Sequence, residues 1–212
     1  MPGWNELFKN PENRWKKPFP AVMAFKKRYS KAGRHLSLDL GCGAGRHMIP
    51  LQQGKNLAVG MDLSLIGLGY SQILLKKKRK PALLVQADMA APFPFANESF
   101  TELISVHVIF HNRVERIRFT LSEIYRVLKP GGMIFITFNS VYSFRFGMGV
   151  ELEPGTWIPN LGVDQGIPHH FCSLEDLASL MAGFKVIKVD LDEENSDGNL
   201  SSHWLVTAQK PE

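Results

Sequence analysis

The chain has 212 residues, enough for one α/β domain with a substantial core. It contains no apolar run near the roughly 18 residues of a membrane span, and its N-terminus lacks the apolar stretch of a secretory signal. Two cysteines make no disulfide framework and predict a reduced, cytoplasmic protein, while the net charge of +5 is mild.

The first 35 residues are basic, interrupted by prolines and rich in aromatic side chains. They predict one or two helices, of which residues 18–30 form the better one. We expect residues 1–35 to be a helical lid segment on a domain formed by residues 36–212. Ordinary packing against the sheet explains the aromatic residues about as well.

From residue 36 onwards strand and helix patterns alternate, which predicts an α/β fold with a parallel sheet covered on both faces. The predicted strands cover residues 36–40, 57–62, 82–87, 102–108, 133–139, 184–191 and 202–209. The predicted helices between them cover residues 45–53, 64–78, 114–128 and 173–182. Residues 140–170 are rich in glycine and proline and predict a substrate-side loop or lid, and residues 192–199 predict a hairpin connection.

The first predicted strand runs directly into three glycines, Gly41, Gly43 and Gly45. Glycines let the backbone adopt conformations that side chains forbid, so a ligand can lie against the main chain. The helix predicted next would point unpaired N–H groups and a partial positive charge at that ligand. Asp62 ends the following apolar run, where a carboxylate is placed to bind both hydroxyls of a ribose. The pattern predicts a nucleoside-containing cofactor.

The glycine spacing distinguishes between two such cofactors. A dinucleotide fold uses G-x-G-x-x-G, but Arg46 stands here where the third glycine belongs. Asp39 lies inside the strand end, where it would repel a pyrophosphate and attract a ligand with an amino group and a sulfonium. The pattern resembles the first motif of the class I S-adenosylmethionine (SAM)-dependent methyltransferases. A dinucleotide oxidoreductase stays open as a remote alternative.

Further segments strengthen this resemblance and extend it over residues 30–210. They are Gln86-Ala-Asp-Met89, Pro92-Phe-Pro-Phe95, His107-Val-Ile-Phe-His111 and Leu128-Lys-Pro-Gly-Gly132. Within the class, the chain resembles the methyltransferase type 11 group. The resemblance implies a seven-stranded Rossmann-like, doubly wound sheet of order 3-2-1-4-5-7-6 with its last strand antiparallel, in three α/β/α layers.

The resemblance also implies which residues bind SAM. The cofactor-binding candidates are Asp39, Gly41, Cys42, Gly43, Gly45, Arg46, Asp62, Leu63, Asp88, Met89, Val106 and His107. Three of them have structural alternatives. Asp62 could cap the helix that follows it, Asp88 could stabilise a turn, and Arg46 could pair with Asp39 or point to solvent.

The sequence says less about where the methyl acceptor binds than about the cofactor. Methyl transfer from a sulfonium is a direct displacement, so the protein needs a general base only where the acceptor must lose a proton. His107 is the candidate catalytic residue, and the candidate substrate-binding residues are Trp15, His111, Tyr142, His169 and His170. His111 could instead pack at a strand–helix junction. The adjacent histidines 169 and 170 do not form a metal-site pattern, so no metal is expected.

The leading hypothesis is therefore a SAM-dependent methyltransferase that acts on a small molecule and releases S-adenosylhomocysteine. Two alternatives stay open: an RNA or protein methyltransferase that uses the basic N-terminus, and a SAM-binding protein without turnover. The basic run Lys76–Lys80 is more typical of a helix C-terminus than of a nucleic-acid contact. We expect a monomer or homodimer without a membrane partner.

Overall fold

The computed structural model describes residues 3–14, 16–29, 35–160 and 164–212, so Trp15 lies outside the described residues. The strands are β1 Leu36–Leu40, β2 Leu57–Asp62, β3 Leu83–Gln86, β4 Phe100–Ser105, β5 Leu128–Ser140, β6 Val150–Glu153, β7 Thr156–Ile158, β8 His169–Cys172, β9 Lys185–Ser196 and β10 Asn199–Gln209. The α-helices are α1 Trp4–Lys9, α2 Pro20–Tyr29, α3 Met48–Leu51, α4 Leu65–Lys77, α5 Val114–Val127 and α6 Leu174–Leu180.

Seven strands form the main sheet in the order β3-β2-β1-β4-β5-β10-β9. All neighbours in this set pair in parallel except β10, which is antiparallel to both β5 and β9. Numbered along the chain within the set, the order is 3-2-1-4-5-7-6. This confirms the predicted Rossmann-like sheet and its antiparallel last strand.

Helices cover both faces of the sheet. Ile117, Leu121 and Ile124 recur at helical spacing on α5 and are buried against one face. On the other face, Val22 of α2, Met48 of α3 and Leu68 of α4 belong to a second buried cluster. Leu38 and Leu40 of β1 belong to the first cluster, and β1 lies between β2 and β4 near the centre of the sheet.

A buried polar cluster fixes α2 on the sheet. The Ser37 hydroxyl donates to Glu102 Oε1 at 2.5 Å, and Lys26 Nζ of α2 lies 3.4 Å from the same oxygen. All three residues are less than a tenth exposed. Since a buried charge without a partner is strongly unfavourable, this contact specifies where the N-terminal segment docks.

The helix after the glycine turn is shorter than predicted. It covers only Met48–Leu51, whereas residues 45–53 were expected to be helical. A helix from residue 45 would need the N–H of residue 50 to bond the carbonyl of residue 46, and Pro50 has no N–H. The predicted helix N-terminus at Gly45 and Arg46 is therefore wrong, and these residues lie in turns.

The two C-terminal strands are longer than predicted. They continue until only Asp197 and Gly198 connect them, with Ser196 paired to Asn199. Both connecting residues have positive φ, 52° and 80°, as a two-residue type I′ hairpin turn requires. The predicted connection at residues 192–199 is thus mostly strand, since Asp-Gly is a strong signal for such a tight turn.

Residues 140–170 contain regular structure that the sequence pattern did not indicate. Strands β6 and β7 form an antiparallel pair, and β7 pairs in turn with β8, which pairs in parallel with the last two residues of β5. The three short strands form a small sheet beside the carboxyl end of β5. Whether this segment acts as a lid stays a prediction.

Arg126 ties the connection between β3 and β4 to α5. Its guanidinium donates at 2.7–3.1 Å to the Glu123 carboxylate, the carbonyl oxygens of Phe93 and Phe95, and Asn97 Oδ1. The Phe93 N–H donates to Glu123 as well, at 2.6 Å. One side chain thus organises a whole irregular segment.

We expect Arg126→Ala to lower the free energy of unfolding by about 2 kcal/mol, because it removes several hydrogen bonds to a charged group. Arg118→Ala is the matched control, since Arg118 is exposed on the same helix and its guanidinium donates a hydrogen bond to the Ser179 hydroxyl at 3.2 Å. That control should change the free energy by less than about 0.5 kcal/mol. Equal losses for both variants in urea denaturation would contradict the assigned role.

Candidate functional site

A cavity of about 660 Å³ lies where β1, β2, β3 and β4 end, which is where open α/β sheets bind their ligands. Helix α1 covers it with Trp4, Leu7 and Phe8. The candidate residues that line this cavity are Gly41, Cys42, Gly43, Arg46, Asp62, Leu63, Asp88, Met89, Val106, His107 and His111. Most of the residues predicted to bind the cofactor therefore lie on one surface.

The glycine turn depends on backbone conformations that favour glycine. Gly41 has φ of 75° and Gly43 of 51°. A Cβ on Gly41 would lie 2.2 Å from Val108 Cγ2, and a Cβ on Gly43 would lie 2.7 Å from Phe8 Cζ. The missing side chains thus make room for the protein's own residues, which pack onto the turn and shape the cavity. Gly45, with φ of 84°, serves the same purpose beside Ser71 and does not line the cavity.

Asp62 connects the end of β2 to the glycine turn. Its Oδ2 accepts the Gly43 N–H at 2.7 Å, and its Oδ1 accepts the Ser64 N–H at 2.7 Å. Burial raises the pKa of the Asp62 carboxyl, and these hydrogen bonds counteract the rise only in part. Ser64, whose hydroxyl accepts the Gly67 N–H, is the cap of α4. Ser64 therefore caps α4, rather than Asp62.

Asp39 lies behind the turn and is 1% exposed. Its Oδ1 is 3.9 Å from His47 Nδ1, and His47 Nε2 accepts the Phe19 N–H at 3.1 Å. The neutral tautomer with its proton on Nδ1 fits both contacts. Among the described residues Asp39 Oδ2 has no hydrogen-bond partner. A negative charge is thus held behind the inner wall, although Asp39 itself does not line the cavity.

The charge of Asp39 affects the pKa of two further residues of the turn. Burial lowers the pKa of the Arg46 guanidinium, while nearby Asp39 acts in the opposite direction. Burial and the carboxylates Asp39 and Asp62 raise the pKa of the Cys42 thiol well above its usual range. Cys42 is therefore a small, unreactive residue rather than a nucleophile.

Asp88, which follows β3, stabilises a turn, the structural alternative that the sequence analysis gave for it. Its Oδ1 accepts the Ala90 N–H at 2.8 Å. Met89 lies beside it, and its carbonyl accepts the Thr120 hydroxyl at 2.9 Å. Both residues line the cavity, so a contact with an adenine ring stays a prediction that this geometry allows.

Polar and aromatic contacts attach helix α1 to the cavity wall. The Ser64 hydroxyl lies 2.8 Å from Asn5 Oδ1. Phe8 is 7% exposed and packs on the glycine turn, and the Trp4 ring meets His111 edge-on at 4.9 Å between centroids. Helix α1 therefore forms one wall of the cavity, and whether residues 1–35 act as a lid stays a prediction.

His107 follows β4 and has a backbone that is unusual for its residue type. Its φ is 58°, and its N–H donates to Thr137 Oγ1 of β5 at 2.7 Å. A residue other than glycine in this region costs about 1–3 kcal/mol and is often found at functional sites. The turn directs His107 to the boundary between two cavities.

The second cavity has a volume of about 520 Å³ and adjoins the first. Five residues line both: His107, His111, Arg145, Asp164 and Glu194. The second cavity is further lined by His169 and His203 and by polar residues of the β9–β10 hairpin. This arrangement gives the domain two connected chambers with a shared wall.

Four histidines surround Phe110 in the second cavity. The rings of His107 and His203 meet edge-on with centroids 4.5 Å apart, and those of His111 and His169 do the same at 4.5 Å. Burial lowers the pKa of His203 to about 4, and that of His107 and His111 well below its usual value. These three rings are therefore neutral at pH 7 and offer hydrogen-bond acceptors to a ligand.

The Asp164 carboxylate lies among these groups. Its Oδ2 accepts a hydrogen bond from Arg145 at 2.6 Å and lies 3.0 Å from His169 Nε2, within the distance of an ion pair. Burial alone would raise the pKa of Asp164, but His169 and Arg145 together hold it well below its usual range. Its Oδ1 is buried, and within the described part of the chain it has no partner.

Two of the substrate candidates lie elsewhere. The His170 ring faces away from both cavities and is 3.0 Å from Thr156 Oγ1, and Tyr142 is 60% exposed beside Trp204. Because β-strand residues alternate in direction, neighbouring His169 and His170 point to opposite sides. Neither His170 nor Tyr142 lines either cavity, so we do not propose that they bind the substrate.

Sequence reasoning did not identify Arg145, Asp164, Glu194 or His203. They lie in the segment expected to be irregular and in the C-terminal hairpin, far from any motif. Only the pairing of β10 with β5, which sets His203 opposite Asn139, brings the hairpin to the site.

Two absences concern the described residues alone. They contain no group of three or more histidine, cysteine or acidic side chains arranged to hold a metal ion. None of their helices combines the length and the apolar character needed to cross a membrane.

Two connected chambers at the carboxyl ends of a 3-2-1-4-5-7-6 sheet, with a glycine turn and Asp62 in the first, define the class I methyltransferase architecture. The family profile described as "Methyltransferase domain" matches residues 38–136. An uncharacterised methyltransferase of Synechocystis is 30% identical over 164 residues, covering 73% of this chain and 68% of that protein. The chain therefore belongs to the SAM-dependent methyltransferases, in the type 11 group, and its cofactor is SAM.

Other relatives differ in what they methylate. The demethylmenaquinone methyltransferase of Lactobacillus johnsonii is 37% identical over 59% of this chain and 50% of its own length. The human probable tRNA methyltransferase 9B is 31% identical over 57% of this chain and 24% of its own length. A crystal structure of a Methanosarcina mazei SAM-dependent methyltransferase superimposes with a TM-score of 0.69 at 19% identity, over 92% of this chain and 99% of that one.

The chain is shorter than several of these proteins. Across the Synechocystis and Lactobacillus proteins and an uncharacterised Methanocaldococcus jannaschii protein, it spans 39–68% of their length.

Proposed function

We propose that the protein transfers the methyl group of SAM to a small polar acceptor that binds in the second cavity. The observation that carries this proposal is the shared wall of the two cavities. A protein that only bound SAM would not need an open chamber of about 520 Å³ beyond the cofactor cavity. The second chamber therefore favours turnover over simple binding.

The residues of the first cavity suit SAM. Asp62 offers a carboxylate for the ribose hydroxyls, and Asp39 maintains a negative charge behind the turn that would attract an amino group and repel a pyrophosphate. Leu63 and Met89 offer apolar surface for a base. When bound, SAM supplies a methyl group activated by a positively charged sulfur, which needs no metal or redox partner from the protein.

The protein's own part is to align the acceptor and exclude water. Because His107 lines both cavities, we assign it the candidate role of orienting the acceptor. Its neutral ring could accept a hydrogen bond from that acceptor.

An RNA acceptor is the alternative, and the similarity to a probable tRNA methyltransferase is the reason to test it. The basic run Lys76–Lys80 does not support it. This run ends α4, which begins two residues after the cavity-lining Leu63, and a helix of 13 residues spans about 20 Å. Lys80 also donates to the Gln52 carbonyl at 2.7 Å, a structural contact.

The acceptor class can be tested with SAM that carries a tritiated methyl group. A cell extract is separated into compounds below 1 kDa, tRNA and protein, and each fraction is incubated with the enzyme. We expect label in the fraction below 1 kDa. Label in tRNA or protein alone would refute a small-molecule acceptor.

A variant should separate the two chambers. Ser201 lines only the second cavity, so Ser201→Trp should fill it and reduce methyl transfer at least tenfold, with SAM affinity within twofold of wild type. Ser122→Trp, on the exposed side of α5, is the control and should leave transfer unchanged. Full activity in Ser201→Trp would place the acceptor elsewhere.

A further inference from the structure

We infer that the second cavity binds its ligand through a cationic nitrogen group, an ammonium or amidinium, held by Asp164 with the rim carboxylates Glu194 and Asp197. The inference rests on the proposed function in one respect, since this ligand would be the methyl acceptor. It concerns a chemical class that the family relationship leaves open.

The first argument is the unused oxygen of Asp164. The residue is 8% exposed and lines both cavities, and among the described residues its Oδ2 alone has partners. A buried carboxylate oxygen without a hydrogen bond costs about 1–3 kcal/mol. An N–H donor from a ligand would remove that cost.

The second argument is the charge of the lining. Arg145 is the permanent cation among the described lining residues, and its charge is already matched by Asp164 at 2.6 Å. Glu194 and Asp197 are exposed at the rim and add two further carboxylates. The cavity stays negative overall even with His169 protonated, so an anionic ligand would be repelled.

The third argument is the number of hydrogen-bond acceptors in the lining. The neutral rings of His107, His111 and His203 each carry one acceptor nitrogen, and His111 Nδ1 is buried without a partner among the described residues. Together with the carboxylates they form a surface rich in acceptors, which complements a ligand with several N–H groups.

The reaction needs the nitrogen to lose one proton. An ammonium nitrogen must be deprotonated before it can act as a nucleophile, and that proton leaves to solvent water, because burial makes the rings of His107 and His203 weak bases that only accept hydrogen bonds. The freed lone pair then forms the new N–C bond to the methyl carbon, whose bond to sulfur breaks, and the product leaves as a methylated ammonium ion. Charge and protons balance without another reactant.

Three probes of similar size test the class: benzylamine, benzyl alcohol and benzoate. Each is titrated by ligand-observed NMR against the full chain saturated with S-adenosylhomocysteine at low ionic strength. We expect benzylamine to bind at least tenfold more tightly than the other two. Asp164→Asn should weaken benzylamine at least fivefold, and Glu194→Gln, at an exposed position that the fold tolerates, about twofold to threefold.

The outcomes separate this inference from the proposed function. Affinity for S-adenosylhomocysteine, measured by calorimetry, should stay within twofold in both variants. Benzoate binding as tightly as benzylamine, or benzylamine binding unaffected by both variants, would overturn the inference. Selective benzylamine binding without any methyl transfer to compounds below 1 kDa would instead count against the proposed function alone.

Discussion

Asp62→Ala should weaken SAM binding by about 1.5–3 kcal/mol, which corresponds to roughly 10-fold to 150-fold in Kd. The substitution removes the carboxylate proposed to bind the ribose. It also leaves the Gly43 and Ser64 N–H groups without the acceptors that they bond at 2.7 Å. Both losses act at the cofactor cavity, so we expect this change to have the largest effect on binding of any single cavity residue.

Two further variants sharpen the test. Asp62→Asn keeps the shape and one acceptor oxygen, so calorimetry should place its SAM affinity between those of wild type and Asp62→Ala. Asp190→Ala, which removes a surface carboxylate paired with Lys188, should leave affinity unchanged. If Asp62→Ala binds SAM as wild type does, the assignment of this cavity to the cofactor is wrong.

The parallel core of the fold could be predicted because its signals are local. The strands β1 and β2 begin and end where the alternating and apolar runs do, and Ser64 begins α4 as a capping residue should. The prediction was wrong for α3 because one missing N–H, at Pro50, outweighs the helical pattern around it. It was wrong for residues 192–199 because Asp197 and Gly198 suffice for the turn.

More of the first cavity than of the second could be predicted from the sequence. The cofactor side follows from motifs at the ends of successive parallel strands, which any sheet of this order brings together. The second cavity is assembled by side chains such as Arg145 and Asp164, whose positions depend on β7 pairing with β8 and on the β9–β10 hairpin. No local pattern encodes such pairings, so its chemistry became visible only in three dimensions.

The free energy of unfolding should fall by at least about 1 kcal/mol between pH 7 and pH 5.5. Burial lowers the pKa of four histidines, to about 4 in His203. In the unfolded chain each returns to about 6.5, so between these values the unfolded state binds more protons and is stabilised relative to the folded state as the pH falls. His203 contributes about 1 kcal/mol over this interval, and the other three histidines act in the same direction.

His203→Phe provides the comparison, because it keeps a ring against His107 and Phe110 but cannot be protonated. Urea denaturation at several pH values should show its loss of stability smaller than that of wild type by about 1 kcal/mol over the same interval.

The carboxyl groups do not account for a loss of stability between pH 7 and pH 5.5. The depressed pKa of Asp164 costs stability only at lower pH, and the raised pKa of Asp62 favours the folded state as protons bind. A wild-type protein equally stable at pH 7 and pH 5.5 would mean that the histidine rings of the second cavity are not held neutral, and the acceptor-rich surface proposed for a nitrogen ligand would lose its basis.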